Sequence, residues 1–317
     1  MTENLRPRVL ITGGTGFIGT ELAKRLDAES YEVVVFDKKN PTKGFPNSVS
    51  FVNGDLRDKT KFTGIINDVK PQSVIHMASN IGARGYLEEH ADKIIEDNTA
   101  MDDSLFASIE ESNIRLLFNT SSSMVFENAT VYPYQESDLP KIAPPTNLYG
   151  QTKLRGERLC KLSKIDHVIV RYHNVYGPDE QPKGEGPGNI HVIPAVIEKV
   201  KIGTLPLVIL GNPEDARPFT YIDDAVEATV RLLFKGLRGS QKVINQDFNI
   251  GPAQTTKIHE LYKLAWNLFG DTQPFDFISQ EISGSTAHRR EMNPKKINSA
   301  TGWYPNVNLE EGLQLVF

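Results

Sequence analysis

Tyr149 and Lys153 stand four residues apart, a spacing that puts a phenol and an ammonium on one face of a helix. Positive charge one turn away can lower the pKa of a phenol. Tyr149 is therefore a candidate general base near neutral pH, with Lys153 as its electrostatic partner. Four consecutive hydroxyls, Thr120-Ser121-Ser122-Ser123, close the apolar run Leu116-Leu117-Phe118. At the end of a buried strand they can bond a substrate oxygen and orient it. The competing use is to bond backbone in a turn, expected of at least one of them.

A second constellation suits a dinucleotide. Gly13-x-x-Gly16-x-x-Gly19 lies between a β-branched run, Arg8 to Thr12, and a helical pattern with Phe17, Ile18, Leu22, Ala23 and Leu26 on one face. The first glycines allow a tight turn and a close backbone approach to a pyrophosphate. The last lets helix pack near strand, and the helix N-terminus adds partial positive charge. Asp37 ends the next strand, 21 residues after Gly16, close to the expected interval of about 20. Its carboxylate can accept from both ribose hydroxyls and repels a 2′-phosphate, favouring NAD over NADP, with Lys38 beside it. Asp55, in Asn53-Gly54-Asp55-Leu56, is an acceptor candidate for the adenine amino group. The competing readings are a glycine turn that only joins strand to helix and an ordinary turn aspartate.

The elements that must hold these groups follow from the apolar pattern. Strands are expected at 8–12, 33–36, 49–52, 74–77, 116–118 and 168–170, and helices at about 90–112 and 148–164. Strands alternating with helices predict an α/β fold, a Rossmann doubly wound parallel sheet. Beyond Gly177-Pro178 comes a Pro/Gly-rich loop to Gly188. A helix (about 190–202), a strand at 207–210, a helix (about 222–236), the segment 247–251 and two closing helices follow. The expected organisation is a dinucleotide-binding domain over residues 1–177, with segments of about 207–251 partly returning to it. Residues 178–317 would form a smaller, mostly C-terminal substrate-binding lobe.

Composition narrows the setting. The chain has 317 residues, 39% hydrophobic and 24% charged, which is ordinary globular composition and argues against long disorder. No apolar stretch approaches a membrane span, and the first seven residues lack the apolar core of a secretion signal. With Cys160 as the single cysteine, no internal disulfide and no cysteine-based zinc cluster can form. The expectation is a cytoplasmic protein without membrane partners. A net charge of −5 and no basic stripe argue against nucleic acid. The seven histidines show no i,i+4 pair, so no metal is expected.

The ordered motifs resemble the extended short-chain dehydrogenase/reductase family, in its nucleotide-sugar epimerase and dehydratase branch. Thr12 to Gly19, His76-Met77-Ala78-Ser79, Asn98, Ser121 to Val125, Tyr149 to Lys153 and Arg171 to Pro178 occur in family order, followed by Arg217 to Asp224 and Thr301 to Pro305. The resemblance implies NAD, a nucleotide-diphosphate sugar substrate, and a homodimer built through the helices at about 90–112 and 148–164. It makes Tyr149 the acid/base, Lys153 its partner and nicotinamide-ribose ligand, and Ser122, three before Val125, the catalytic hydroxyl. Gly13, Gly16, Phe17, Ile18, Gly19, Asp37, Lys38, Asp55, Leu56, Met77, Ala78, Ser79, Asn98, Tyr172 and Val175 become cofactor positions. Arg84, Ser123, Met124, Asn174, Lys183, His191, Arg217, Arg289 and Arg290 become substrate positions, with either member of the Arg289-Arg290 pair facing inward. The family ending Val-Tyr-Gly is Val125-Phe126-Glu127 here.

Several chemistries compete within that resemblance. Where 4,6-dehydratases carry an Asp-Glu pair, this chain has Ser123 and Met124, neither able to act as acid or base. The segment Asn80 to Tyr86 and Lys183 resemble GDP-mannose 3,5-epimerases, yet Met124 stands at their cysteine position and a thioether carries no proton. Cys160 lies two helical turns beyond Lys153. A 4-epimerase needs only the hydride relay and room for a keto sugar to turn over, so it is the favoured reading. A 4-dehydrogenase uses the same residues, and a non-catalytic NAD-binding regulator is the alternative from another class.

Overall fold

The computed structural model describes residues 6–110, 112–180, 189–281 and 289–317. A seven-stranded sheet organises the chain. Six of its strands are β1 (Arg8–Thr12), β2 (Glu32–Asp37), β3 (Ser50–Asn53), β4 (Ser73–His76), β5 (Leu116–Ser122) and β6 (His167–Tyr172). The seventh, Gln246–Ile250, pairs with β6. The spatial order is Gln246–Ile250, β6, β5, β4, β1, β2, β3, with every pairing parallel.

From β1 the chain winds to one edge through β2 and β3, and from β4 to the other. The reversal falls between β1 and β4, where open α/β sheets bind ligands at their strand C-termini. The turn after β1, the segment after β4 and the hydroxyl end of β5 all meet there.

Successive strand residues face opposite sides, so each strand feeds two cores. Val9, Ile11, Ile75, Phe118 and Val168 pack with α1 (Phe17–Ala28) and, further on, α7 (Ile222–Leu237). Leu10, Val74, Leu117 and Ile169 pack on the other face with α2 (Lys59–Val69) and α4 (Ala91–Ile109), and Cys160 of α5 (Leu148–Leu162) joins them. Cys160 is fully buried there, and burial pushes its thiol pKa up. The long helix expected at 90–112 is preceded by a separate turn of helix, α3 (Arg84–Glu89), and the two meet at His90.

Beyond position 177 the chain contributes to both parts. α7 and the strand Gln246–Ile250 complete the large sheet unit, whereas α6 (Val192–Ile202) packs against α8 (Ile258–Phe269). Leu207–Leu210 pairs in parallel with Phe277–Gln280, a strand whose mostly exposed residues carry no clear apolar alternation. Two closing helices were expected. Three are present among the described residues, α8, α9 (Lys295–Thr301) and α10 (Leu309–Val316), the last two being too short for a strong periodic signal. Among the described residues, no helix is long and apolar enough to cross a membrane.

Candidate active site

The glycine turn is shaped by what surrounds it. Gly13 has φ +71°, and a Cβ there would lie 2.5 Å from the backbone N and Cα of Ala78, just past β4. A Cβ on Gly19 would lie 2.7 Å from the Gly13 carbonyl, so the third glycine lets α1 sit directly against the turn. α1 starts on Gly16, which offers no side chain to cap it. The first-turn N–H groups, at Phe17 and Ile18, have no intrahelical acceptor, which suits an anionic diphosphate.

At the tip of β2, Asp37 accepts from the Thr15 N–H (3.1 Å) and the Lys39 N–H (3.0 Å) through different oxygens. Each oxygen keeps further lone pairs for a ribose hydroxyl. The cradle and this carboxylate fit NAD. Lys38 is exposed.

Several expected cofactor positions are occupied differently. Asp55 is gripped by Arg57, whose Nη2 lies 2.5 Å from Oδ2, and this pairing holds the carboxyl down at about 2. Arg57 also reaches Asp97. Leu56 is buried in the core, which leaves its backbone as the only polar part for a ligand. Tyr172 turns its hydroxyl onto Thr229 of α7 (2.6 Å), and Val175 pairs with Thr220. Asn98 spends its amide on the loop after β4. Oδ1 accepts from the Asn80 N–H (2.6 Å) and from Ser79 (3.4 Å), while Nδ2 donates to the Asn80 carbonyl (3.1 Å).

The hydroxyl run sorts itself by partner. Thr120 donates to the His76 carbonyl (2.8 Å) and Ser121 to buried Glu157 (2.6 Å). Ser122 caps the short 3-10 turn Ser123–Phe126, accepting from the Met124 N–H (3.2 Å), and is the member of the run whose hydroxyl favours ionisation of the Tyr149 phenol. Ser123 is buried and Met124 half-buried beyond it. Ser122 is thus the member of the run that meets Tyr149.

Tyr149 differs electrostatically from the sequence expectation. Burial pushes its phenol up, and the groups pulling it down are Ser122 and Ser79 rather than Lys153. The Lys153 ammonium donates to the Thr120 carbonyl (3.0 Å) and lies 5.7 Å from the Tyr149 ring centroid. Burial brings it down to about 8, against the opposing charges of Asp102 and Glu157. Helical spacing brought the two side chains together, but their partners set the proton affinities.

The start of α5 is fixed by a residue the sequence flagged only as a departure. Glu127, buried, accepts from the Thr146 N–H (2.7 Å), the Thr146 hydroxyl (3.0 Å) and the Asn147 N–H (2.8 Å). Asn147 in turn caps α5 by accepting from Gly150 N (3.1 Å), directly after Tyr149.

The second lobe brings cations to the same end of the sheet. Ala216 and Arg289 form a parallel bridge, so the following residues, Arg217 and Arg290, come side by side. Arg217 is buried, donates to Asp215 (3.0 Å), and is brought down to about 9 by burial and then by the charge of Arg290. Burial also lowers Arg290, with Tyr134, Glu127 and Asp215 opposing. Arg289 points outward, paired with Glu291 (2.7 Å). The inward member of the pair is therefore Arg290.

Asn174 adopts φ +38° and leaves a buried Oδ1 without a hydrogen-bond partner among the described residues, an acceptor that suits a ligand. His191 is exposed and pairs with Glu180 rather than standing open. Lys183 lies outside the described residues, and of Arg84 only the backbone, at the start of α3, is described.

Sequence reasoning missed the framework behind these groups. Arg171, fully buried, donates to Glu157 through Nε and Nη2 (2.7 Å each) and to Asp247 (2.6 Å), and Lys296 reaches Asp247 (2.7 Å). Such a network crosses four elements distant in sequence, so no local spacing announces it.

Comparison with known proteins agrees with this geometry. Residues 9–251 match the model of the NAD dependent epimerase/dehydratase family. A Methanocaldococcus jannaschii protein provisionally named UDP-glucose 4-epimerase is 30% identical, over 97% of this chain and 96% of its own. The Arabidopsis thaliana GDP-mannose 3,5-epimerase is 28% identical, over all of this chain and 82% of its own. The Thermotoga maritima UDP-glucose 4-epimerase, solved with UDP-glucose, superposes with a TM-score of 0.84 at 25% identity, covering 98% of this chain and 97% of the other. The chain is an NAD-dependent enzyme that belongs to the NAD dependent epimerase/dehydratase family.

Proposed function

We propose that the enzyme is a nucleotide-sugar 4-epimerase that oxidises its substrate transiently at sugar C4. The observation that carries this reading is the buried Tyr149 phenol, whose ionised form is favoured by the Ser122 hydroxyl at the end of β5. NAD, when bound, supplies the acceptor and donor of hydride. Tyr149 Oη takes the proton of the sugar hydroxyl and returns it, and Ser122 holds the reacting oxygen. Lys153 places positive charge near the phenol and holds the nicotinamide ribose, while the glycine turn and Asp37 secure the rest of the cofactor.

Arg217 and Arg290 hold the substrate diphosphate, and Asn174 contributes an acceptor. Two guanidinium groups set close together are stabilised by an anion between them, and bidentate bonding fixes its orientation. The small C-terminal elements around them form the sugar-nucleotide lobe.

The 4-epimerase reading is supported over 3,5-epimerisation by the absence of an accessible thiol. Met124 stands at the position where the related enzymes' cysteine would be, and Cys160 is buried in the core with its pKa raised. The GDP-mannose 3,5-epimerase relative keeps that chemistry as the second reading. Incubation with UDP-, GDP-, CDP- and dTDP-sugars, read by NMR for epimers and at 340 nm for NADH, tests both. Inversion at C4 supports the proposal. Net NADH makes the enzyme a 4-dehydrogenase, inversion at C3 or C5 supports the second reading, and inertness toward every sugar points to a non-catalytic NAD-binding protein.

The enzyme is further proposed to form a homodimer through α4 and α5. Arg155 of α5 already pairs with Asp102 and Asp103 of α4, which joins the two helices into one surface. A monomer in analytical ultracentrifugation would remove this part of the reading.

A further inference from the structure

Arg290 is held between two bridges. Arg289 pairs with Ala216, and Met292, two residues after Arg290, pairs in parallel with Tyr134. In the second bridge the Tyr134 N–H donates to the Glu291 carbonyl (3.1 Å) and the Asn293 N–H to the Tyr134 carbonyl (2.9 Å). Met292 itself is fully buried, in a cluster with Val125, Phe126, Ala129, Tyr134 and Leu139. Val125 and Phe126 belong to the 3-10 turn that Ser122 caps, and the Tyr134 ring stacks on Phe126 with centroids 4.3 Å apart. The same turn rests on α5. A Cβ on Gly150 would lie 2.9 Å from the Met124 carbonyl, so turn and helix meet as closely as a glycine allows, directly beside Tyr149. One apolar side chain thus joins the segment that carries Arg290 to the turn that serves both Ser122 and the start of the tyrosine's helix.

We propose that Met292 is a positioning residue that sets the distance between Arg290 and the Ser122 turn, and so between the anchored diphosphate and the reacting sugar carbon. This rests on Arg290 holding the diphosphate and on Ser122 and Tyr149 serving the reaction. A nucleotide sugar is gripped at its phosphates, several bonds from the carbon that is oxidised. Movement of the grip relative to the turn is carried to that carbon, and a misplacement of about 1 Å can lower the rate on the order of 10²-fold. Being fully buried, Met292 acts through its neighbours and does not touch the substrate. A thioether chain fills an irregular gap between two stretches of backbone, and shortening it lets the walls move into the space. Grip and turn then shift against each other, while each keeps its own polar groups.

Met292→Ala, Met292→Val and Met292→Leu in the NAD-loaded enzyme test this, each with and without Arg290→Ala. kcat and KM are measured with the nucleotide sugar that the panel identifies, and UDP and GDP affinity by calorimetry. Met292→Ala should lower kcat by about tenfold to a hundredfold. Affinity for the nucleoside diphosphate should change by less than about threefold, because both guanidinium groups remain. Leucine, close in volume, should return most of kcat. Valine shows the same split at smaller size and decides the matter if the alanine variant does not fold. In the Arg290→Ala background the loss from Met292→Ala should nearly vanish, since the grip it registers has gone. Losses that multiply, or a fall in diphosphate affinity matching that in kcat, overturn the proposal. A wild type inert toward every sugar, or Arg290→Ala with undiminished diphosphate affinity, removes the proposed function and this inference together.

Discussion

Glu127 Oε2 lies 2.8 Å from the backbone N–H of Asn147, the residue that caps the helix bearing Tyr149. Together with its two bonds to Thr146, this sets where α5 begins, and hence the height at which the phenol meets Ser122. Glu127→Ala removes three part-buried hydrogen bonds, at about 0.5–1.5 kcal/mol each. A lower unfolding midpoint is expected, together with a kcat loss larger than any change in NAD affinity. Unaltered stability and turnover would show that the start of α5 does not depend on this carboxylate.

Tyr149→Phe removes the atom that carries the proton but keeps the ring. A positioned acid/base contributes roughly 10²–10⁴-fold, so kcat should fall by that order while NAD stays bound. Retention of full turnover would reassign the base.

Arg217→Ala and Arg290→Ala should each weaken nucleotide-sugar binding by about tenfold or more, the usual scale of a charge-assisted bond. Arg289→Ala should do much less, because Arg289 already pairs with Glu291 at the surface. Calorimetric titration of the three variants with the substrate or its nucleoside diphosphate separates them. Equal losses at positions 289 and 290 would contradict the inward orientation of Arg290.

His173 predicts the acid limb of stability. It is fully buried and neutral, with Nδ1 donating to the Arg171 carbonyl (3.1 Å) and Nε2 accepting from Tyr134 (3.0 Å). Burial, helped by the charges of Arg290 and Arg171, brings its pKa down to about 3. The unfolded imidazole, near 6.5, binds its proton first as pH falls. Stability from this group is therefore present above about pH 6.5 and lost from there down to about pH 3, at about 1.4 kcal/mol per pH unit. Asp247 adds a later loss. Burial opposes its ionisation, but Arg171 and Lys296 hold it at about 2, so its contribution falls between about pH 4 and 2. Urea unfolding at several pH values should show the slope, and His173→Gln should flatten it between pH 6.5 and 4. A slope unchanged by that substitution would place the acid sensitivity elsewhere.

Local chemistry was readable in advance where one short segment does the work. The glycine turn needs only its own spacing and the strand and helix on either side. Tyr149 and Lys153 share a helix face, and Ser122 holds a fixed place in its run. The rest depends on partners far along the chain. Arg57 claims Asp55, Asn98 is consumed by the loop at Asn80, and Tyr172 turns to Thr229. The choice between Arg289 and Arg290 is made by a bridge to Ala216, which no periodicity encodes. The phenol's proton affinity likewise follows burial and two serines, one ending β5 and one in the segment after β4, and helical spacing reports neither.

The seventh strand has a consequence for synthesis. β6 gains its outer neighbour only from residues 246–250, and buried Arg171 gains Asp247 from the same segment. A nascent polypeptide halted near position 177 would carry a bare ladder edge and a cation missing one of its counter-ions. The nucleotide-binding half completes its sheet only once residues 246–250 have been made, and fragments cut at that apparent boundary should aggregate rather than bind dinucleotide.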